Sequence, residues 1–281
     1  MNSVKRRNVT HESIGLVRIH ASAGINTKLD AFLFWYLLLK FVINTIVMKV
    51  FFISGLGADK TVFQFLDLSF CEPVFIEWVH PLKNETLQEY ALRLKDAYIP
   101  DNAMIVGLSF GGMIATEIAK KYPEIKAILI SSSKTKYELP SYYRLAKFLP
   151  IYRLLSNASV KWFMLHAKWL LGLNNKTQEK IYEDLIKRSD PFFNRWAINA
   201  IVTWKNTEIP TNLFHIHGTY DKVLPYKNVT CNYTIEKGQH LMVMQHADTI
   251  SSLLKELVCS PSFKSTALFS SANPLAHQNL K

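Results

Sequence analysis

Cysteine is scarce in this chain of 281 residues, which contains only Cys71, Cys231 and Cys259. The number is odd, and no pair has the two-residue spacing that is typical of zinc sites or thiol redox motifs. A disulfide-stabilised fold and a structural zinc site are therefore both disfavoured. This usage is typical of a reducing compartment, so the sequence predicts a cytoplasmic protein.

Dense basic runs and internal repeats are also missing, although the formal net charge is +11. Residues 1–48 hold six basic and two acidic residues, and residues 259–281 hold two basic residues and no acidic one. The remaining excess of +5 is spread over residues 49–258 without basic runs interleaved with aromatic side chains, so nucleic acid is not an expected partner. This net positive charge is compatible with a mild attraction of the protein to anionic membranes or acyl carriers.

A standard signal peptide is not recognisable, but residues 31–47 form an apolar segment. It lies far from the terminus, lacks a small-residue cleavage site and is interrupted by Lys40 and Asn44. It also runs without a linker into an apolar strand that begins near Lys49. Three interpretations stay open: residues 1–48 are a dispensable extension, they anchor the protein to a membrane, or they form an early edge strand and helix.

The most informative pattern is Gly107-Leu108-Ser109-Phe110-Gly111. An apolar run precedes it and an apolar helical pattern follows it, which is the strand, turn and helix of a nucleophile elbow. In so sharp a turn, side chains two positions before and after the serine would collide with the neighbouring helix or strand. Gly107 and Gly111 remove that collision, so the sequence predicts Ser109 as an exposed nucleophile.

A serine nucleophile needs a base, and the base needs a carboxylate that orients it. Asp221 follows a predicted strand at 212–217, and His240 follows the next predicted strand, at 231–236. Both residues therefore lie on loops at the carboxyl ends of strands. The order Ser109, Asp221, His240 is the order that a serine hydrolase with this strand-turn-helix arrangement requires.

Other histidines are less suited to the role of the base. His215 and His217 lie on one face of the strand before Asp221, and we interpret them as braces for the loop that carries this aspartate. His246 falls inside a predicted final helix at 243–257 and is interpreted as a surface or packing residue. The alternative position for the acid is occupied by the serines at 131–133, which leaves Asp221 as the candidate.

Charge that develops on the substrate oxygen needs backbone N–H donors. The apolar strand at 51–53 ends in the flexible turn Ser54-Gly55-Leu56-Gly57. We predict that the Leu56 N–H is one donor and that the Phe110 N–H, directly after the nucleophile, is the other.

These motifs, in this order, resemble those of the α/β-hydrolase superfamily, in its small single-domain group with a cap. The resemblance covers about residues 49–257 and depends on four stretches: 54–57, 107–112, 217–225 and 238–240. It implies the catalytic triad Ser109, Asp221 and His240. One difference is Ser54, which stands where relatives most often carry a histidine that supports the oxyanion loop.

The pattern of elements points to the same fold class. Strands predicted near 49–54, 73–78, 103–107, 126–131, 212–217 and 231–236 alternate with helices, notably 87–97 and 112–121. This alternation predicts an α/β fold, with a mostly parallel central sheet and helices on both faces. The predicted core comprises 49–131 and 205–258, and the predicted disordered tail comprises 259–281.

Residues 132–204 show helical patterns only and contain thirteen aromatic residues. An insertion at this point is predicted to be an all-helical cap over the active site. The rings either attach the cap to the body or line an apolar cavity, and a cavity of that kind favours acyl or aromatic substrates over sugars and phosphates.

The sequence therefore predicts a serine hydrolase that cleaves a carboxylic ester or thioester through an acyl-enzyme intermediate. The expected partner is a small acyl substrate, and no metal or organic cofactor is expected. Two alternatives stay open: an acyltransferase that uses the same triad, and a ligand-binding protein that keeps the fold with little turnover. Dehalogenase chemistry is disfavoured because it needs a carboxylate in place of Ser109.

Overall fold

A computed structural model describes residues 35, 48–148, 156–173 and 175–260, with the side chains of 144, 145 and 147 left out. The predicted extension and its apolar segment, except for Trp35 and Met48, lie outside the described residues, as does the predicted tail beyond Ser260. Within the described ranges, no helix combines the length and the apolar character that crossing a membrane requires.

The central sheet has six parallel strands in the order β2-β1-β3-β4-β5-β6. The strands are β1 (Lys49–Ile53), β2 (Glu72–Ile76), β3 (Met104–Leu108), β4 (Lys126–Ile130), β5 (Leu213–Gly218) and β6 (Tyr233–Ile235). All six predicted strands are present, with ends that differ by up to two residues. The predicted parallel sheet is confirmed.

Helices follow most of the strands. In chain order they are α1 (Leu87–Tyr98), α2 (Phe110–Lys121), α3 (Ser141–Phe148), α4 (Asn157–His166), α5 (Lys168–Leu171), α6 (Lys176–Arg188), α7 (Pro191–Val202), α8 (Met242–Gln245) and α9 (Ala247–Cys259). Short 3₁₀ helices cover Lys60–Phe63 and Tyr226–Asn228. Between β4 and β5, every regular element of the described residues is helical, and the role of this stretch as a cap stays a prediction.

The sheet is buried on both faces because successive side chains of each strand point to opposite sides. Phe51 and Ile53 of β1 pack into the core that also contains α1 and α2. Val50 and Phe52 pack into the second core, which contains α9. Strands covered on both sides are apolar almost throughout, which explains why they could be predicted as continuous apolar runs.

The prediction of one continuous final helix over 243–257 was wrong. The chain forms α8 and α9 instead, and His246 separates them with φ −119° and ψ 38°, outside the helical region. The His246 N–H ends the first helix by donating to the Met242 carbonyl, at 2.8 Å. Helix α9 then continues to Cys259, one residue into the predicted tail.

Candidate active site

Ser109 lies in a sharp turn between the end of β3 and the start of α2. Its φ of 52° and ψ of −113° are strained for a residue with a side chain. The strain is held by a hydrogen bond from the Ser109 N–H to the Ile130 carbonyl of β4, at 2.9 Å. This turn projects the serine hydroxyl past the carboxyl edge of the sheet.

The two glycines of the elbow are required by close backbone contacts. A Cβ atom on Gly107 would lie 2.5 Å from the carbonyl oxygen of Gly111. A Cβ atom on Gly111 would collide with the carbonyl oxygens of Ile53 and Ser54, at the end of β1. Any side chain at either position would force the backbone apart, so the geometry agrees with the role predicted for both glycines.

Sequence reasoning missed one support of the elbow, Ser132. Its hydroxyl donates a hydrogen bond to the Ser109 carbonyl at 2.7 Å, and a Cβ atom on Gly112 would collide with it. Ser132 is fully buried two residues beyond β4. The only signal in the sequence is the run of serines at 131–133. This run shows that the alternative position for the catalytic acid holds no carboxylate, but it does not indicate a support for the elbow.

The three predicted triad residues lie in one hydrogen-bonded chain, although they come from distant parts of the sequence. The Ser109 Oγ atom is 2.9 Å from Nε2 of His240, and Nδ1 of His240 is 2.8 Å from Oδ2 of Asp221. A carboxylate only accepts hydrogen bonds, so Nδ1 carries the proton and donates it. In the neutral form of the imidazole, Nε2 is then the nitrogen that is able to accept the serine proton.

Asp221 is held in place by backbone donors. Its Oδ1 atom accepts hydrogen bonds from the N–H groups of Val223 and Leu224, both at 2.8 Å. Burial by itself raises the pKa of this carboxyl group, but the electrostatic interaction and hydrogen bond with His240, the nearby His217 and the Leu224 N–H together hold its pKa below the usual value. Asp221 is therefore a carboxylate near neutral pH, which is the form that orients a histidine.

His215 and His217 brace the Asp221 loop, as interpreted from the sequence. The His217 Nε2 atom lies 2.8 Å from the Leu224 carbonyl, and its Nδ1 atom lies 3.2 Å from Nε2 of His215. Burial lowers the pKa of both imidazoles, so both are neutral near pH 7. The contact of 3.6 Å between His217 Nε2 and Asp221 Oδ2 is therefore not an ion pair.

The turn after β1 is closed by one backbone hydrogen bond and contains a backbone donor that the described residues leave unused. The Ala58 N–H donates to the Gly55 carbonyl at 3.0 Å, and Gly57 has a φ of 74°, which favours glycine. Among the described residues, neither the Leu56 N–H nor the Phe110 N–H has a hydrogen-bond acceptor. Two unused donors beside the nucleophile are what a developing oxyanion requires.

Side chains support this turn at the Ala58 carbonyl. The Ser54 hydroxyl and the Trp78 Nε1–H both donate to that oxygen at 2.9 Å. Ser54 therefore supports the loop, which is the task that the resemblance assigns to the usual histidine. The contribution of Trp78 was not predicted, because it lies beyond β2 and its position depends on the folded sheet.

An apolar cavity of about 200 Å³ opens onto Ser109 and His240. Its walls come both from the core and from the proposed cap, and among the lining residues are Leu56, Met113, Leu224, Tyr143, Phe163, Leu170 and Tyr182. The cavity therefore suits an apolar group bound next to the serine hydroxyl.

Helices of the proposed cap are hydrogen-bonded to the segment that follows His240. The Leu241 N–H donates to the Leu171 carbonyl at 3.2 Å, and the buried Gln178 Nε2 donates to the Met244 carbonyl at 3.0 Å. Gly172 has a φ of 75°, and a Cβ atom there would collide with Gln239. The position of the histidine thus depends on helices α5 and α6 as well as on the sheet.

No group of three or more metal-ligating side chains occurs in the described part of the chain. Four residues that line the cavity carry a hydroxyl or imidazole group: Ser109, His240, Tyr143 and Tyr182. The arrangement is able to transfer a proton from a hydroxyl group and to bind an oxyanion.

Comparisons with solved structures identify the fold. Similar structures include an esterase from Exiguobacterium antarcticum, with 12% identity over 76% of this chain and 92% of that chain and a TM-score of 0.57. A hydrolase from Pseudomonas aeruginosa has 13% identity over 76% and 91%, with a TM-score of 0.58. An N-acyl homoserine lactone degrading enzyme has 16% identity over 74% and 92%, with a TM-score of 0.56.

The chain therefore has the α/β-hydrolase fold, which confirms the predicted fold class. No protein-family model matches the sequence, and no curated protein matches it either. The identities are too low to carry more than the fold, so the activity is argued from the site itself.

Proposed function

We propose that this protein is a serine hydrolase that cleaves a carboxylic ester or thioester with an apolar acyl group. The observation that carries the proposal is the chain of hydrogen bonds from Ser109 through His240 to Asp221, with the serine hydroxyl at the wall of an apolar cavity. The α/β-hydrolase fold supports it, because esterases are among the similar structures.

In the acylation step, His240 acts as the base, Asp221 as the carboxylate that orients it, and two backbone N–H groups as donors. His240 Nε2 removes the Ser109 proton as the oxygen attacks the carbonyl carbon of the substrate, and Asp221 stabilises the imidazolium that forms. The negative oxygen of the tetrahedral intermediate accepts hydrogen bonds from the Leu56 and Phe110 N–H groups. The intermediate collapses when His240 gives its proton to the departing alcohol or thiol.

Deacylation repeats the same steps with water. His240 removes a proton from a water molecule, whose oxygen attacks the acyl carbon of the Ser109 ester. The second tetrahedral intermediate uses the same two backbone donors, and it releases the carboxylic acid when the serine oxygen takes the proton back. Acylation is balanced by the substrate and the groups of the chain, and deacylation consumes one water molecule in addition.

A fluorophosphonate probe tests the nucleophile directly. We expect the probe to label the purified protein at Ser109, because the activated hydroxyl attacks the phosphorus, and Ser109→Ala should abolish labelling. Ser133→Ala is the matched control, since Ser133 is a buried serine near the elbow whose hydroxyl makes no hydrogen bond to the described residues. Peptide mass mapping that finds the label elsewhere, or persisting in Ser109→Ala, would refute the assignment.

Acyl-chain length tests the apolar character of the site. Each methylene group buried in the cavity should add about 0.8 kcal/mol of binding, or about a fourfold increase in kcat/KM, until the cavity is filled. The measurement is kcat/KM for dissolved nitrophenyl esters from acetyl to octanoyl, below the concentrations at which they aggregate. A profile that stays flat across the series would contradict an apolar acyl site.

Two other functions are separated by product analysis. An acyltransferase would transfer the acyl group to an added alcohol or thiol in preference to water, so the ratio of transfer to hydrolysis measures this possibility. A ligand-binding protein would bind esters without a burst of released alcohol. We expect hydrolysis to exceed transfer and a stoichiometric burst to appear whenever deacylation is the slow step.

A further inference from the structure

Helices α4 and α5 of the proposed cap expose large aromatic side chains. Trp162 and Phe163 are each 61% exposed, and Trp169 is 66% exposed. We call these three residues the cap aromatic face. The three side chains lie on two consecutive helices, and large exposed apolar surfaces mark sites that bind proteins or membranes.

The stretch of sequence that contains this face is basic. Between Glu138 and Glu179 the sequence contains six Lys and Arg residues and no acidic residue. At the surface, the Nζ atom of Lys222 lies 5.8 Å from the ring centroid of Trp169. Lys168 is paired with carboxylates of α6. Among the described residues, the Nζ atom of Lys161 donates to a backbone carbonyl, that of Lys187, which does not compensate its positive charge.

The same two helices also form part of the wall of the substrate cavity. Phe163 is both exposed and in contact with the cavity, and Met164 and Leu170 line the cavity from the same segment. Trp162 and Trp169 do not line it. An apolar surface thus leads from the outside of the cap to the space beside Ser109.

We propose that the cap aromatic face docks on an anionic lipid surface and so brings the cavity next to lipid-dissolved acyl substrates. Tryptophan is favoured at the boundary between lipid and water, and lysine side chains at its edge are attracted to anionic headgroups. The proposed docking depends only on the properties of the cap aromatic face. The delivery of a substrate depends on the hydrolase function proposed above.

Vesicle binding by the full chain tests the docking. We expect the protein to co-sediment with vesicles of phosphatidylcholine mixed with phosphatidylglycerol at least tenfold more strongly than with phosphatidylcholine alone. The double variant Trp162→Ser/Trp169→Ser should lose at least tenfold of this binding. The control is Leu82→Ser/Ile209→Ser, which removes two apolar side chains that are 58% and 54% exposed outside the cap. Residues 31–47 are the same in all three proteins, so a contribution from that segment does not produce the difference.

Binding of the cap variant that equals the binding of the unaltered protein would overturn the proposal. Unchanged vesicle binding together with a loss of self-association in the cap variant would assign the face to a second copy of the chain instead. Failure of the docking and failure of the hydrolase function are distinguished by a dissolved butyryl ester. The cap variant should turn it over within twofold of the unaltered protein while losing at least tenfold on the same ester dispersed in anionic vesicles.

If neither protein hydrolyses any ester but binding depends on Trp162 and Trp169, docking stands and the hydrolase function fails. If both hydrolyse dissolved and vesicle-borne esters equally, docking fails and the hydrolase function stands.

Discussion

Ser109→Ala and His240→Ala are each expected to lower kcat for ester hydrolysis by about 10⁴-fold or more, without a large loss of folding. Ser109 is the nucleophile of the proposed mechanism, and His240 is the only base within hydrogen-bond distance of its Oγ atom among the described residues. The measurement is kcat with a dissolved ester, together with the free energy of unfolding from urea denaturation.

The double variant provides the sharper test. Because the nucleophile and base act as one unit, Ser109→Ala/His240→Ala should be no slower than the worse of the two single variants. A further loss that equals the sum of the single effects would mean that the two residues act independently. His246→Ala is the matched control, because this half-buried histidine lies outside the hydrogen-bonded chain and its removal should leave kcat unchanged.

Gly111→Ala is expected to affect both stability and turnover. The added methyl group collides with the backbone carbonyls of Ile53 and Ser54, which cannot move away as a flexible side chain would. Overpacking of this kind costs about 1–3 kcal/mol of stability or more. Any relief of the collision displaces the turn that carries the Leu56 N–H, and loss of one such donor lowers kcat by about 100-fold.

Gly55→Ala is the matched control for folding. A Cβ atom on Gly55 would meet its nearest neighbour, the Ser109 Cβ, at 3.4 Å, which is close to ordinary contact. We therefore expect the unfolding free energy of Gly55→Ala to stay within about 1 kcal/mol of the unaltered protein. If Gly111→Ala has the same unfolding free energy and the same kcat as the unaltered protein, the elbow does not require glycine at that position.

Local sequence was sufficient for the elements that depend on short-range patterns. The strand, turn and helix around Ser109 could be predicted because Gly107 and Gly111 are needed wherever a chain turns so sharply. Asp221 and His240 could be predicted as partners because loops after parallel strands meet at the same edge of the sheet. Their hydrogen-bonded geometry agrees with that expectation.

The helical insertion was harder to interpret, because an aromatic residue on a helix shows its role only when its neighbours are known. Phe193 packs on Trp78 in the core, with ring centroids 4.8 Å apart. Phe163 lines the cavity, whereas Trp162 and Trp169 face outward. Some of these rings therefore attach the insertion to the body and others line the cavity, as the two interpretations proposed. A third group is exposed to solvent, which neither interpretation included.

The sequence by itself determined the parallel sheet, the order of the candidate triad and the need for glycine at the elbow. Each of these follows from apolar periodicity or from the steric limits of a few consecutive residues. The tertiary structure alone decided the support of the Ser109 carbonyl by Ser132 and the link from Gln178 to helix α8, which follows His240. These hydrogen bonds join residues 23 and 66 positions apart, and a contact of that kind exists only once the sheet has brought the two segments together.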